Sequence, residues 1–262
     1  MAIIPPIFLN AVVSIGIRNS EHTLSWIGTG FFVGRSGDDP TQARPFLVTN
    51  KHVFQTSKQV VIRMKENACE KLKEMEARLE DDNGNKYYKV HPQADIDIAV
   101  LALDAQSIIN NNLVFPCFNI DIHAMTSAEL RGNGVDEGSL IYMLGFPMGL
   151  VNQHSNLPLC RLGCVARMSK EQIDEEHNIL VDIQNFPGNS GSPIVLRPEF
   201  VSIEGTKSLA ACVLVGIVHS YIPYQEKLIN SQTYQVVEIK SENSGIANVH
   251  PVEYIREVID LF

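Results

Sequence analysis

Short apolar runs separated by turn residues make up most of this chain, and they restrict it to a β-rich fold. In the first half the runs lie at 11–17, 24–33, 45–49, 59–64 and 96–103. The second half repeats the pattern from Ser139 to Val249, and the polar, irregular segment 104–138 separates the two blocks. Runs of strand length with Gly, Asn, Asp or Pro between them, and almost no helical periodicity, predict an all-β protein of two packed barrels.

Helical spacing is visible in only two places. A stripe of apolar residues follows Pro251 and predicts a C-terminal helix; its members are Val252, Ile255, Val258, Ile259 and Phe262. Segment 66–79 predicts a short amphipathic helix in a peripheral insertion, because one face would carry Cys69, Leu72, Met75 and Leu79. The C-terminal part of this segment alternatively starts a hairpin that turns at 82–85.

Composition argues against several classes of function. The chain has 262 residues, of which 45% are hydrophobic, so it can bury a sizeable core. Its formal net charge is −9, and the absence of a basic cluster argues against nucleic-acid binding. No apolar stretch approaches the ~20 residues of a membrane-spanning helix. The apolar N-terminus has no basic residue ahead of it and is interrupted by Pro5 and Pro6, so we expect no secretory signal and a cytoplasmic location.

Cysteine and histidine usage predicts neither disulfides nor a metal site. The cysteines form an odd set without a C-x-x-C pair, so we expect free buried thiols at Cys69, Cys117, Cys160, Cys164 and Cys212. The eight histidines are scattered rather than arranged at zinc-ligand spacing. Gly28-Thr29-Gly30 lacks the rest of a phosphate-binding motif and indicates a bulge or a close backbone approach within a strand. We therefore expect no cofactor and no metal.

The octapeptide FPGNSGSP at 186–193 is the strongest functional signal. It lies between the apolar runs 179–183 and 194–196, which predicts a tight turn between two strands. Its glycines allow positive φ and a close approach of other backbone to Ser190. Such a serine is suited to be an acyl-transfer nucleophile beside an oxyanion hole, although a plain surface loop is an equal alternative on these residues alone. The choice depends on a base and an acid elsewhere in the chain.

A histidine and an aspartate in the first block supply those two groups. His52 lies in the turn that follows the strand in segment 45–54, where a lone histidine would otherwise be a surface residue. Asp97 directly precedes a buried strand and needs a partner there, whereas Asp95, the alternative acid, is better placed for solvent. Because Ser190 falls in the second block, a cleft between two barrels would bring the three residues together.

Six motifs give the chain a resemblance to the trypsin-like, chymotrypsin-fold serine peptidases, and in pattern to their disulfide-free HtrA/Deg-like branch. They occur in family order across 10–262: GTGF at 28–31, VTNKHV at 48–53, DIAVL at 97–101, GFPMGL at 145–150, PGNSGSP at 187–193 and VGIV at 215–218. The resemblance implies two six-stranded antiparallel barrels. Residues 1–120 would carry His52 and Asp97, and residues 121–262 would carry Ser190 and the terminal helix.

The resemblance also implies roles for these residues. Ser190 would attack a peptide carbonyl while His52 removes and later returns the proton. Asp97 would orient the imidazole, and the N–H groups of Gly188 and Ser190 would bind the oxyanion. The partner would be a protein or peptide substrate, without a cofactor. The implied primary pocket is walled by three segments, with the candidate residues Gln184, Val218, His219, Ser220, Tyr221 and Ala247.

The chain departs from the family pattern at four points. No acidic residue stands at the expected floor of the pocket, so cleavage after Lys or Arg is disfavoured. His219 lies one position beyond the register of a pocket histidine, and a neutral strand-edge histidine is the simpler interpretation. Asn189 stands where an aspartate would pair with a freed amino terminus, so we expect activity without N-terminal cleavage. The few residues after Pro251 predict no PDZ domain of the kind that many HtrA/Deg-like enzymes carry.

Two other functions compete with the peptidase. An α/β-hydrolase would also hold a serine between glycines, but its G-x-S-x-G elbow fails at Ser192 and its order of serine, acid and histidine conflicts with this chain. A catalytically latent or inactive protease fold could bind a regulatory protein partner as a sensor or scaffold, with loops near 146–156 reordered on binding. The presence of all three triad residue types favours the serine endopeptidase.

Overall fold

The N-terminal half of the chain forms an eight-stranded sheet. The structure is a computed structural model that describes residues 3–36, 43–66, 71–199 and 207–262. In chain order the strands are β1 (Val12–Arg18), β2 (Leu24–Ser36), β3 (Ala43–Thr49), β4 (Gln59–Lys65), β5 (Leu72–Arg78), β6 (Tyr88–Val90), β7 (Ala99–Ala102) and β8 (Phe118–Asn119). Their order across the sheet is β5-β4-β1-β2-β3-β7-β6, with antiparallel neighbours, and β8 joins β2 in parallel.

Six strands of the C-terminal half close into an antiparallel barrel. They are β9 (Leu140–Gly145), β10 (Leu159–Arg167), β11 (Ile179–Asp182), β12 (Pro193–Leu196), β13 (Leu214–Ile229) and β14 (Val236–Pro251). The order around the barrel is β10-β11-β14-β13-β12-β9, and closure leaves no strand edge unpaired within it. Alternate residues of these strands fill the interior, among them Met143, Val181, Ile194 and Val249. Beyond the barrel, β13 and β14 continue as a solvent-exposed ribbon.

Short helices connect and cover the two halves. They are α1 (Pro6–Ala11), α2 (Lys51–Phe54), α3 (Ala105–Asn110), α4 (Ser127–Gly132), α5 (Lys170–Glu176) and α6 (Val252–Ile259). The buried face of α6 enters a core to which both halves contribute, from Phe31 and Val48 in the first to Leu144 and Val195 in the second. Burying apolar side chains from both halves stabilises the packing of one half against the other.

The all-β architecture with a C-terminal helix is confirmed, with one difference in strand count. The described part of the first half forms an eight-stranded sheet rather than a closed six-stranded barrel; its strands include β5, in the segment predicted to be helical, and the two-residue β8, which pairs with β2 in parallel and buries Phe118. Pro251 is the N-cap of α6, and Val252, Ile255, Val258 and Ile259 are buried as the stripe predicted. The boundary between the two units at residue 120 stays a prediction.

The predicted helix at 66–79 is wrong. Leu72–Arg78 is strand β5, which pairs with β4 from Lys65↔Leu72 to Gln59↔Arg78. The alternative, a hairpin that turns near 82–85, agrees with the structure, because Glu80 and Lys86 form an isolated bridge across that turn. Pairing with an existing edge strand outweighs the weak helical spacing of a short segment. Residues 67–70, which include Cys69, lie outside the described residues.

The segment between the two halves is more ordered than its polarity indicated. It contains α3 and α4, and α4 begins with a capping box in which Thr126 and Glu129 bond to each other's backbone N–H groups. The sequence TSAE at 126–129 carries that signal. The described cysteines are free, as predicted, but their burial was overestimated, because Cys160 is exposed and Cys117, Cys164 and Cys212 are only partly buried.

Candidate active site

His52 and Asp97 lie at adjacent strand ends and are hydrogen-bonded to each other. His52 is in α2, immediately after β3, and Asp97 is in the loop that enters β7, the neighbour of β3. His52 Nδ1 donates to Asp97 Oδ2 over 2.5 Å, and the His52 backbone N–H donates to Asp97 Oδ1 over 3.0 Å. Because Nδ1 carries the proton in this pair, Nε2 is left as an acceptor on the opposite side of the ring.

The environment of Asp97 favours its ionised form. Burial by itself would raise the pKa of this carboxyl, but the hydrogen bond from the His52 ring, the charge of that ring and the His52 backbone N–H together lower it. The rival acid, Asp95, is exposed, and its Oδ2 lies 3.4 Å from Nε2 of His177 rather than near His52. The structure therefore pairs Asp97 with His52.

Two residues that sequence reasoning missed hold the backbone of Asp97. Asn50 Nδ2 donates to the Asp97 carbonyl over 2.8 Å, and the Asp97 N–H donates to His250 Nε2 over 2.9 Å. Asn50 is part of the matched motif VTNKHV, which was a usable signal. His250 had none, because it stands 153 residues from Asp97 in sequence and its only local context is a helix start.

The serine loop between β11 and β12 packs against strand β2 of the first half. The Ser190 carbonyl accepts a hydrogen bond from the Thr29 N–H over 2.9 Å. Gly191 has a φ of +89°, and a Cβ there would lie 1.9 Å from the Thr29 carbonyl oxygen, so only glycine fits this approach. A Cβ on Gly28 would lie 3.0 Å from the Val53 side chain and 3.4 Å from the Ser190 carbonyl. The predicted close backbone approach at Gly28–Gly30 is thus the contact that holds the serine loop against β2, near Val53, the residue after His52.

Hydrogen bonds orient the two peptide units that precede Gly188 and Ser190. The Pro187 carbonyl accepts from the Met148 N–H over 2.5 Å, which turns the Gly188 N–H in the opposite direction. The Asn189 carbonyl accepts from the Ser192 N–H over 2.8 Å. The Ser190 N–H, which belongs to the same peptide unit, therefore points away from the Ser192 N–H. Among the described residues neither the Gly188 N–H nor the Ser190 N–H has an acceptor. Two unpaired donors on a fixed loop form the type of site that stabilises a developing oxyanion.

Thr29 braces this loop from the first half of the chain. Its fully buried Oγ1 donates to the Gly188 carbonyl over 2.7 Å and accepts from the Phe146 N–H over 3.0 Å. One hydroxyl therefore links β2, the serine loop and the segment that follows β9. The sequence marked Thr29 only as the middle residue of a Gly-Thr-Gly motif.

No hydrogen bond joins the hydroxyl of Ser190 to the ring of His52 in the described residues. Within the described ranges, Ser190 Oγ has no partner, and His52 Nε2 also has none. Catalytic hydrogen bonds are often long before substrate binds and shorten in the complex. The structure therefore offers an imidazole bonded to a carboxylate, and a serine loop that carries two unpaired N–H donors and a partly exposed serine.

The candidate pocket residues fall into two groups. Gln184 and Tyr221 are exposed, and Ser220 accepts through Oγ from Asn248 Nδ2 over 2.9 Å. The prediction for Val218 and Ala247 needs correction, because both side chains are fully buried in the barrel core. Neither residue has accessible surface with which to line a pocket, since strand alternation turns both side chains into the barrel.

His219 faces away from the candidate pocket, towards the loop that holds Asp97. Its Nε2 donates to Asn178 Oδ1 over 2.7 Å, and its ring stacks on that of His250 with centroids 3.9 Å apart and planes 6° apart. Burial lowers the pKa of His219 to about 3, with the neighbouring His250 adding to the effect. The simpler interpretation, a neutral histidine, agrees with this environment better than a pocket residue does.

Neither a metal cluster nor a membrane helix is found in the described ranges. No group of three or more His, Cys, Asp or Glu side chains there is arranged to hold a metal ion. Within 3–36, 43–66, 71–199 and 207–262, no helix is long and apolar enough to cross a bilayer.

Burial raises the pKa of the Cys212 thiol to about 12, and nearby Cys160 contributes to the shift.

Comparisons with known proteins place the chain in a family. The structure of neuropsin, a serine protease expressed in the limbic system of mouse brain, is similar over 98% of each chain, with a TM-score of 0.49 and 13% sequence identity. No curated protein matches the chain in sequence. The HtrA/Deg-like branch stays a prediction. A family model for the trypsin-like peptidase domain matches residues 28–199, a stretch that contains His52, Asp97 and Ser190. The chain belongs to the family of trypsin-like peptidase domains.

Proposed function

We propose that this protein is a serine endopeptidase that hydrolyses peptide bonds through Ser190, His52 and Asp97. The observation that carries the proposal is the double hydrogen bond between His52 and Asp97, with the ring Nδ1 and the backbone N–H both donating to the carboxylate. This pairing leaves Nε2 of His52 free to accept a proton, beside a serine loop whose donors are unpaired. A trypsin-like peptidase domain acts on peptides or proteins, so we take a polypeptide as the substrate.

Each residue has one part in the proposed reaction. Ser190 Oγ attacks the carbonyl carbon of the scissile bond while its proton moves to His52 Nε2. The resulting oxyanion accepts hydrogen bonds from the N–H groups of Gly188 and Ser190, and Asp97 stabilises the imidazolium. The imidazolium then gives its proton to the leaving amine, which leaves an acyl ester on Ser190. Water attacks this ester with His52 again acting as the base, and the free enzyme is restored.

A fluorophosphonate probe tests the competence of the proposed triad. The native protein should be labelled on Ser190, and Ser190→Ala should not react. Ser192→Ala is a matched control, because Ser192 lies two residues away, its side chain is fully buried, and its backbone hydrogen bond to Asn189 survives the change. This control should be labelled like the native protein. Equal labelling of native protein and Ser190→Ala would contradict the proposal. If only Ser190-containing protein is labelled, cleavage of a diverse peptide library defines the preferred bond.

A sensor or scaffold is the second candidate function. It is favoured by one observation, the absence of a hydrogen bond between Ser190 Oγ and His52 Nε2 in the described structure. A latent protease would have such a geometry until a protein partner reordered the surrounding loops. Failure of native protein to react with the probe under any condition would support the scaffold, whereas labelling that requires an added partner would support a latent enzyme.

A further inference from the structure

Both ring nitrogens of His250 are engaged behind the catalytic aspartate. His250 lies near the end of β14, and only 1% of its surface is exposed. Its Nδ1 donates to the His177 carbonyl oxygen over 2.9 Å, and its Nε2 accepts from the Asp97 N–H over 2.9 Å. A carbonyl can only accept and a backbone N–H can only donate, so these partners require a neutral ring with its proton on Nδ1.

The bond from Asp97 to His250 controls where the catalytic carboxylate stands. Asp97 lies between Ile96 and Ile98, which are both fully buried, so its backbone is held inside the protein. Its carbonyl is bound by Asn50 and its N–H by His250, which clamps the residue from both sides. Removing the His250 acceptor would free one side of this clamp, and the carboxylate would lose its alignment with His52.

His219 holds the plane of the His250 ring. The two rings are stacked almost parallel, and the hydrogen bond from His219 to Asn178 fixes the second ring in turn. The titratable groups that act on His250 are Asp97, Asp95, His91 and His219, and the Tyr254 ring lies edge-on at 6.3 Å between centroids. Burial dominates this environment and lowers the pKa of His250 to about 4, so Nε2 keeps its lone pair at neutral pH.

We propose that His250, braced by His219, is a positioning residue that aligns Asp97 with His52 through the Asp97 backbone N–H. The proposal rests on the peptidase function, in which the Asp97 carboxylate orients His52. In this proposal His250, a residue of the second barrel, aligns Asp97, an acid of the first half. Catalysis would then depend on the packing of the two halves at a second place, behind the triad as well as at Ser190.

Two substitutions of similar polarity separate the acceptor role of His250 from its role as a buried residue. In His250→Asn the short amide can reach the Nδ1 position and donate to the His177 carbonyl, but it leaves the Asp97 N–H without an acceptor. In His250→Gln the amide is one methylene longer, and its oxygen can reach the Nε2 position and accept from Asp97. His219→Phe keeps a stacked ring and leaves the bond from Asp97 to His250 intact.

Steady-state kinetics measure the effect on catalysis. We expect kcat per labelled active site to fall about 10- to 100-fold in His250→Asn with little change in KM, because misalignment of a catalytic group affects the chemical step. His250→Gln should restore most of the rate, and His219→Phe, which keeps the stack but loses the hydrogen bond to Asn178, should lower kcat less than His250→Asn does. Equal rates in the native protein and a folded His250→Asn variant would overturn the proposal.

An NMR measurement tests the same proposal without substrate. The proton shared by His52 Nδ1 and Asp97 Oδ2 should give a downfield resonance in the native protein and in His250→Gln, and this resonance should shift or broaden in His250→Asn. If the asparagine variant does not fold, nitrogen-15 shifts of the native protein still decide, because His250 must be neutral with its proton on Nδ1 at pH 7. A protonated ring, or a proton on Nε2, would overturn the proposal. Failure of the native protein to react with the fluorophosphonate probe would instead count against the peptidase function.

Discussion

The stacked pair His219 and His250 should make folding sensitive to mild acid. Both pKa values are lowered from 6.5, to about 3 and about 4, chiefly by burial. Below pH 6.5 these two histidines therefore bind protons in the unfolded chain but not in the folded chain, so the free energy of unfolding falls as the pH falls. The loss begins at the pKa of the unfolded histidines and is complete only when the pH reaches the folded values.

The size of this effect follows from the pKa shifts. Between pH 7 and pH 5 each histidine contributes a loss of about 2 kcal/mol, because one pKa unit corresponds to about 1.4 kcal/mol. With pKa values of about 3 and about 4, both rings stay neutral in the folded protein above pH 5, so no repulsion between two charged rings enters this range. The two losses therefore add to about 4 kcal/mol. His123, whose pKa burial also lowers, adds to the loss. Asp97 acts only at lower pH, because its pKa lies below 3.8.

Urea unfolding at pH 7, 6 and 5 measures this loss directly. His219→Phe should reduce the difference between pH 7 and pH 5 by about half, since it removes one titrating ring and keeps the stack. His154→Gln is the matched control, because His154 is exposed and its replacement should leave the difference unchanged. A native protein equally stable at pH 7 and pH 5, or a His219→Phe variant with the full native loss, would refute the reasoning.

Three further substitutions test the site and its support. Gly191→Ala should lose more than about 3 kcal/mol or fail to fold, because its Cβ would lie 1.9 Å from the Thr29 carbonyl at a φ of +89°, whereas Gly132→Ala, with nothing within 4 Å, should gain up to about 1 kcal/mol in thermal unfolding. Thr29→Val leaves buried groups of the oxyanion loop unpaired and should cost about 1–3 kcal/mol of stability and lower kcat, while Thr29→Ser should retain both; equal kcat for the two variants would contradict the bracing role. Asp97→Asn should lower the peptidase rate about 10⁴-fold, as in the serine-protease template, and Asp95→Asn should not; the reverse result in a peptide-cleavage assay would reassign the acid.

The motifs of the candidate site were readable from sequence because they describe local backbone geometry. A turn with glycines at 188 and 191 requires positive φ over a few residues, and the structure has φ values of +94° and +89° there. The period-two runs predicted most strands of the second barrel for the same reason, since alternation is a property of neighbouring residues. The stripe after Pro251 likewise identified α6 and its buried face.

Contacts between distant segments were decided only by the tertiary structure. The sequence offered Asp95 and Asp97 as acids, and the packing of β3 beside β7 joins Asp97 to His52. It offered His219 either as a pocket residue or as a neutral strand-edge histidine, and the path of β13 stacks that ring on His250. Such contacts depend on how two sheets meet, which no short stretch of residues encodes. The sequence by itself therefore determined the residue types and turns of the site, and the packing of the two halves decided which side chains support them.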